Sequence, residues 1–293
     1  MGEPEMGERQ VAEPGAWFDA SFTAEPAFRA AVEAIQSGDV AALVGLLDAR
    51  PALLQERALG PKAAYVTVAR YFTNPKLFWF VAFNPVFVEP MPANIVEVAR
   101  VMIERGVERS DLDYALELVL SGRVARESGQ QEALIRALLA AGATATPRSI
   151  EVAAAHREVA ALRVLLSAGQ PMTTAIAAAL GDDAALRELI ASAQPDDVQT
   201  AFGLAVINGN PGATRIALDA GADVNAFLPV HAHSTALHQA ALAGQVALVE
   251  LLLERGARKD QRDTLWDATP LDWSVYEGRS AARAVLERAS SAG

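Results

Sequence analysis

The sequence predicts an all-α fold, a solenoid of about eight helix-turn-helix units. Three observations support this fold class. Similar segments recur in the second half of the chain, where Thr200, Thr235 and Thr269 begin copies spaced by 35 and 34 residues. Apolar residues within each copy have helical spacing. Glycines stand where the helices of a copy should end. Units of this kind are stable only when each one packs against its neighbours.

One unit, Ser234–Gln261, shows why the segment should form a helix pair. The Thr235 hydroxyl can cap the first helix, and Gly244 can end it in a left-handed conformation. The leucines of Leu248–Leu252 recur at helical spacing on the second helix, which Gly256 ends. Neither short helix is stable alone, so we expect both to bury their apolar faces against adjacent copies.

These residues resemble a known family. "TALHQAALAGQVALVELLLERGA" and "AGADVNA" are similar to the ankyrin-repeat pattern, clearly over residues 198–289. The resemblance implies that His238 forms hydrogen bonds between neighbouring repeats. It also implies β-turn finger loops that join the units, with His231 and His233 in one finger. A concave groove for a protein or peptide partner is implied as well. The groove-lining residues that it implies are Ile207, Asn208, Leu242, Leu265, Trp266 and Tyr276. The alternative for Trp266, and the favoured interpretation for Trp273, is that these rings cover the exposed end of the last repeat.

Weaker copies occur upstream and bring the count to eight helix pairs. They begin near Phe28, Asn94, Gln130, Thr146 and Thr173. The predicted domain organisation is an N-terminal tail over 1–26, a single solenoid over 27–289 and a C-terminal tail over 290–293. In the third pair, residues 121–131 lengthen the turn between the two helices. In the second pair, a first helix at 63–72 is followed by an insertion at 73–92.

This insertion, "NPKLFWFVAFNPVFVEP", is the aromatic-rich part of the chain. Its alternating pattern is compatible with two strands that turn at Asn84. Self-packing is the favoured interpretation, because a large exposed aromatic patch promotes aggregation. The competing interpretation is partner binding through exposed rings, which the sequence assigns to Trp79, Phe80, Phe83 and Phe87. A shorter aromatic group near the N-terminus, Trp17, Phe18 and Phe22, is expected to cover the first helix pair.

Composition narrows the possible partners and location. The net charge of −11 and the absence of a Lys/Arg cluster argue against nucleic acid. There is no cysteine, which excludes disulfides and thiolate chemistry. No Sec-type signal is visible, so we expect a cytoplasmic protein, and no apolar run is long enough for a membrane span. An excess of Arg over Lys is typical of a GC-rich bacterial gene.

The sequence contains no strong catalytic, cofactor or metal motif. G-x-S-x-G, Walker and G-x-G-x-x-G patterns are absent, so we expect a non-enzymatic protein without a cofactor. His231 and His233 form an H-x-H pair to which Asp223 could add a carboxylate, but a structural or partner-contact role is favoured over metal binding. The paired acids Asp182/Asp183 and Asp196/Asp197 are interpreted as helix caps and first-turn charges.

The sequence is compatible with two alternative functions of different classes. The first is a protein- or peptide-binding scaffold that uses the concave face and the 73–92 insertion. The alternative is a small-molecule-binding or catalytic protein in which the insertion closes an apolar pocket, with polar groups from Tyr65, Arg70, Tyr71 and Asn84. Self-association through the insertion is a third possibility.

Overall fold

The computed structural model describes residues 25–58, 72, 74–84, 87 and 89–291. Within these residues the chain is helical, and its only strand-like pairings are isolated bridges. It divides between Thr144 and Ala145 into two compact units. The single solenoid over 27–289 stays a prediction. Among the described helices, none is both long and apolar enough to cross a membrane.

The first unit contains helix pairs and one irregular element. Its helices are α1 (Pro26–Ser37), α2 (Val40–Ala49), α3 (Ile95–Glu104), α4 (Arg109–Leu120), α5 (Arg123–Glu127) and α6 (Gln131–Ala140), with 3-10 helices at Pro51–Leu54 and Leu77–Ala82. The second helices α2, α3 and α6 pack in succession. In the other layer, the 3-10 helix Leu77–Ala82 packs against both α1 and α4. Helix α5 fills the long turn of the third pair.

The aromatic segment differs from the predicted strand pair, and that prediction is wrong. Residues Leu77–Ala82 form a 3-10 helix that ends at Phe83 in a left-handed conformation with φ of 58°. Because it lies between α1 and α4, it occupies the layer of first helices rather than a loop outside the repeat. The predicted first helix at 63–72 lies outside the described residues except for Phe72, as do Trp17, Phe18, Phe22, Tyr65, Arg70 and Tyr71.

The described rings of the aromatic segment pack against one another and against α1. The Phe80 ring lies 5.3 Å from the Phe72 ring and 6.1 Å from the rings of Phe28 and Phe87, measured between centroids. Phe83 contacts Phe87 at 4.7 Å. Offset and edge-on contacts at these distances are favourable for aromatic rings. The segment therefore supplies part of the core of the first unit.

The second unit consists of five helix pairs. Its helices are α7 (Pro147–Ala155), α8 (Val159–Ser167), α9 (Thr174–Leu180), α10 (Asp183–Ile190), α11 (Pro195–Ile207), α12 (Pro211–Asp219), α13 (Ala236–Ala243), α14 (Val246–Glu254), α15 (Pro270–Tyr276) and α16 (Ser280–Ser291). The first helices α7, α9, α11, α13 and α15 pack in succession, and so do α10, α12, α14 and α16. Helix α16 continues past the predicted end of the solenoid at 289.

Local signals in the sequence explain where these helices begin and end. Thr235 and Thr269 each form a capping box with the third residue of their helix. Gly244 ends α13 with φ of 69°, a conformation that glycine adopts without strain. Two buried alanines, Ala240 and Ala241, let the neighbouring first helices approach α13 closely.

Two fingers connect the last three helix pairs of the second unit. In the first finger, the Leu228 N–H donates to the Ser234 carbonyl at 3.0 Å. In the second, the Asp263 N–H donates to the Ala268 carbonyl at 2.9 Å. The Thr264 N–H donates to the His233 carbonyl at 2.9 Å and joins the two fingers. The second finger thus provides a hydrogen-bond donor for a backbone carbonyl of the first.

Candidate functional site

The exposed apolar side chains of the second unit are concentrated in the last repeat. Leu265 is 61%, Trp266 47%, Val275 48% and Tyr276 66% exposed. We call these four residues the Trp266 surface. Phe227, in the preceding finger, is 38% exposed. Among the described residues these are the large hydrophobic side chains with the greatest exposure, and four of the five belong to one finger and the helix that follows it. Exposed apolar patches are typical of interaction sites.

Asp263 builds the turn that carries Leu265 and Trp266. One carboxylate oxygen accepts hydrogen bonds from the Leu265 N–H at 2.8 Å and the Trp266 N–H at 2.7 Å. The other accepts from the Ala268 N–H at 3.1 Å and from the Trp273 indole N–H at 2.9 Å. The side chain is buried, so these four donors replace its hydration. Trp266 is therefore presented on a fixed turn.

The pKa of Asp263 reflects two opposing effects. Burial acts to raise it, because a charged carboxylate loses water. The hydrogen bonds from Trp266, Trp273, Leu265 and Ala268 favour the charged form and outweigh burial, so the pKa lies below its ordinary value. Asp263 is thus held as a carboxylate in the folded protein.

Trp266 packs against a row of aromatic rings. Its ring lies 5.6 Å from the buried ring of Trp273 and 5.6 Å from that of His233. His231 lies a further 5.8 Å from His233. Tyr276 follows Trp273 by three residues on α15, which places it one turn further along the same side of the helix. The rings of Trp266 and Tyr276 are both exposed, whereas the ring of Trp273 is buried.

His238 links the two last repeats, as the resemblance implied. The ring is buried, its Nε2–H donates to the Ala268 carbonyl at 3.0 Å, and Nδ1 faces the Thr235 hydroxyl at 2.8 Å. Burial lowers the pKa of His238 below its ordinary value, although the Ala268 carbonyl acts in the opposite direction. The neutral imidazole is the form that this network requires.

His231 and His233, predicted as finger residues, are half-buried beside Trp266. Burial lowers the pKa of both. For His231 the positive charge of His233 adds to this effect, and a hydrogen bond with the Ala155 backbone opposes it. Over the described residues, no group of three or more His, Asp or Glu side chains is arranged to hold a metal ion. The structure places the H-x-H pair in an aromatic cluster.

Three of the predicted partner-binding rings do not reach the surface. Phe80, Phe83 and Phe87 are only 2%, 1% and 6% exposed. Their assignment to partner binding is corrected, because their rings form the core of the first unit and offer little area to another molecule. The same packing leaves Phe83 no open face with which to line a pocket. Asn84 is tied to α4 by a hydrogen bond from its amide to the Leu118 carbonyl at 2.9 Å.

Trp79 is the half-buried member of the aromatic segment. Its indole N–H donates to Asp111 at 3.0 Å, and its ring lies 4.3 Å from the Tyr114 ring. The guanidinium of Arg57 lies 5.1 Å from the centre of the Trp79 ring, a cation–π distance. Asp111 also accepts from the buried Lys76 ammonium at 2.8 Å. These contacts anchor the aromatic segment to α4.

The remaining predicted groove residues occupy different positions. Ile207 is buried in the core of the second unit, so its partner-binding assignment is corrected. Asn208 is half-buried and donates to the Ala154 carbonyl at 2.8 Å and the Leu204 carbonyl at 2.9 Å. Leu242 is half-buried, and its carbonyl accepts from Arg279 at 3.0 Å. Neither Asn208 nor Leu242 is among the most exposed residues.

Sequence reasoning missed Phe227, Val275 and Asp263. Phe227 stands in a finger, and Val275 adjoins Tyr276, so their positions relative to the turns could have identified them. The signal for Asp263 was the spacing Asp-x-x-Trp before a capping Thr, because an Asp side chain often accepts hydrogen bonds from the backbone two or three residues on. That signal is common and weak.

Comparison with known proteins identifies part of the second unit. Residues 174–263 match the family model of ankyrin repeats, in three copies. This part of the chain is an ankyrin-repeat array, which confirms the resemblance, and ankyrin repeats generally mediate protein–protein interaction. No curated protein is significantly similar to the chain. The matched segment ends at Asp263, directly before the Trp266 surface.

Proposed function

We propose that this protein is a non-enzymatic scaffold that binds a protein or peptide through its ankyrin repeats. The observation that carries the proposal is the Trp266 surface. Large apolar side chains are exposed there, although the same chain buries Phe78, Phe80, Phe83 and Phe87 in its first unit. Aromatic side chains held rigidly on a folded support give large contact area at low entropic cost, which suits binding.

The ankyrin segment supports the same proposal. Fingers and first helices position contact residues in ankyrin repeats, and the Trp266 surface lies on a finger and the first helix that follows it. Within the proposal, His231, His233 and Phe227 extend the contact area from the preceding finger. Asn208, Leu242 and Trp79 stay candidate contacts. We further infer that the repeat plan extends to eight helix pairs and that the protein acts in the cytoplasm.

The proposal is tested by recovering partners from native lysate with the intact chain and with two variants. Trp266→Ala removes the central ring of the Trp266 surface, and we expect it to lose a specific partner that the wild-type chain recovers. Arg215→Ala is the control, because it removes an exposed side chain from the second helix α12. The same partners recovered in equal amount by all three proteins would contradict the proposal. Circular dichroism of each variant checks its fold.

A further inference from the structure

The Trp266 surface lies in an acidic part of the chain. Residues 260–277 contain five acidic residues and one basic residue, Arg262, and the segment is flanked by Arg258, Lys259 and Arg279. Asp263 is buried and occupied by its four donors, but Asp260, Asp267, Asp272 and Glu277 are exposed. This segment also carries Leu265, Trp266, Val275 and Tyr276. Negative charge and exposed apolar area therefore coincide within it.

Nearby arginines neutralise this charge only in part. Arg262 approaches the Asp267 carboxylate at 3.5 Å, and Arg279 approaches Glu277 at 3.6 Å. All four side chains are more than a third exposed, and exposed pairs at such distances are weak. Asp272 caps α15 by accepting from the Thr269 N–H at 2.8 Å, which uses hydrogen-bonding capacity but leaves its charge in place.

Charged and apolar side chains are interleaved on α15. Asp272, Val275 and Tyr276 stand at positions i, i+3 and i+4 and are all exposed, so they share one face of the helix. Trp266 and Asp267 adjoin each other in the finger before it. A ligand that covers the apolar groups must therefore lie within a few ångströms of carboxylates, and it must compensate their charge or bury it at a cost.

We propose that the Trp266 surface binds a basic peptide segment in which Arg or Lys side chains alternate with apolar ones. This inference rests on the proposed function and names the chemistry of the partner. The apolar side chains would cover Leu265 and Val275. The cationic groups would pair with the exposed acids of the segment, which are Asp260, Asp267, Asp272 and Glu277. An Arg guanidinium over the exposed face of Trp266 would gain a cation–π contact, as Arg57 does over Trp79 in the first unit.

The test uses three synthetic peptides of equal length and equal Leu content. The residues between the leucines are Arg and Lys in the first, Ser and Gln in the second, and Asp and Glu in the third. Dissociation constants are measured with the intact chain by fluorescence anisotropy of labelled peptides at low and high salt. We expect the basic peptide to bind most tightly and to lose affinity with salt, because exposed charges are screened. We expect Trp266→Ala to weaken its binding by about tenfold or more.

Charge variants separate this inference from a general effect of net charge. The first variant combines Asp260→Asn, Asp267→Asn and Glu277→Gln, and we expect it to bind the basic peptide about tenfold more weakly. The matched control neutralises three exposed acids elsewhere in the second unit, with Glu188→Gln, Asp196→Asn and Asp197→Asn. Equal loss of affinity in both variants would overturn the inference, because the attraction would then come from net charge alone.

The other outcomes decide between this inference and the proposed function. If the neutral or the acidic peptide binds as tightly as the basic one and Trp266→Ala weakens it, the charge preference is wrong but the binding surface stands. If no peptide binds, the inference is overturned, and partner recovery with Trp266→Ala decides separately on the proposed function. Sedimentation of the intact chain and of Trp266→Ala supplies a further check. A concentration-dependent dimer that only the wild-type chain forms would assign the surface to a second copy and overturn the inference.

Discussion

Removing the Asp263 carboxylate tests whether this group holds the turn that carries Leu265 and Trp266. In Asp263→Asn, the remaining oxygen can still accept from Leu265 and Trp266, but the new NH2 group faces two donors, the Ala268 N–H and the Trp273 indole N–H. Hydrogen bonds to charged groups contribute about 1.5–3 kcal/mol, and an unsatisfied buried donor costs about 1–3 kcal/mol. The finger can open to water at Leu265 and Trp266, which are exposed, so only part of this sum is lost.

We therefore expect Asp263→Asn to lower the free energy of unfolding of the second unit by about 2 kcal/mol and Asp263→Ala to lower it by about 3 kcal/mol. Urea unfolding followed by tryptophan fluorescence measures this change, and hydrogen exchange of residues 260–277 locates it. The control is Asp267→Asn, which changes a carboxylate that is 83% exposed. It should stay within about 0.5 kcal/mol of the wild-type value.

The pH dependence of folding stability gives an independent test of the role of Asp263. Because hydrogen bonds depress the pKa of Asp263 in the folded state, its contribution is fully present above the unfolded pKa, near 3.8, and is lost as pH falls through the lower folded value. Asp263→Asn should lack this acid-dependent loss. An Asn variant as stable as the wild type, with unchanged exchange at Leu265 and Trp266, would refute the reasoning that the carboxylate holds the finger.

Three further predictions concern the histidine link, the buried ion pair and the contact between a finger and α11. Burial depresses the pKa of His238 in the folded protein, so the stability that this residue contributes should be fully present above pH about 6.5. This contribution should decrease as pH falls below that value. Unfolding curves of His238→Gln should show a smaller decrease in stability over the same pH range. Asp111→Asn should destabilise the first unit by about 2 kcal/mol in urea, because the buried Lys76 ammonium then loses its buried partner and keeps the exposed Glu108 carboxylate at 2.7 Å. Adding Lys76→Met should recover part of the loss, because the double variant no longer buries that ammonium. A Cβ at Gly203 would lie 3.3 Å from the Leu228 side chain. Gly203→Ala should therefore leave the stability measured by thermal unfolding nearly unchanged. Gly203→Val, which adds two further methyl groups, should lower the stability by about 1–3 kcal/mol.

Each of these predictions has an outcome that contradicts it. Equal pH slopes for the wild type and His238→Gln would mean that the imidazole link does not depend on charge. If Lys76→Met adds to the loss caused by Asp111→Asn, the two side chains are not energetically coupled. Equal effects of Gly203→Ala and Gly203→Val would show that Leu228 moves freely and that the finger is not docked on α11.

The repeats could be predicted from sequence because their signals are local and periodic. Thr235 as a cap, Gly244 as a helix end and the leucines that follow recur at a fixed interval, and each has one physical interpretation. The exposed residues Trp266, Leu265 and Tyr276 could be predicted from their positions relative to a finger and a glycine turn. For Ile207 the same positional argument was wrong, because the C-terminal end of α11 faces the core.

The aromatic segment could not be predicted in the same way. Leu77, Phe78, Phe80, Val81 and Ala82 are all buried, so no polar face gives the sequence a helical or strand period. Its alternation suggested strands, but a short 3-10 helix between two α-helices buries these side chains equally well. Which structure forms depends on the shape of the space between α1 and α4, and that information lies in distant residues such as Phe28 and Asp111.

The hydrogen bond from the Thr264 N–H to the His233 carbonyl has a consequence for how this protein can change during evolution. The Trp266 surface needs two successive repeats, because one finger supplies the acceptor and His233, and the next supplies Thr264 and the tryptophan. Loss or duplication of a single repeat at this point would therefore erase or create this exposed surface in one genetic event. Point substitutions within an intact pair of repeats would instead change its shape and charge gradually.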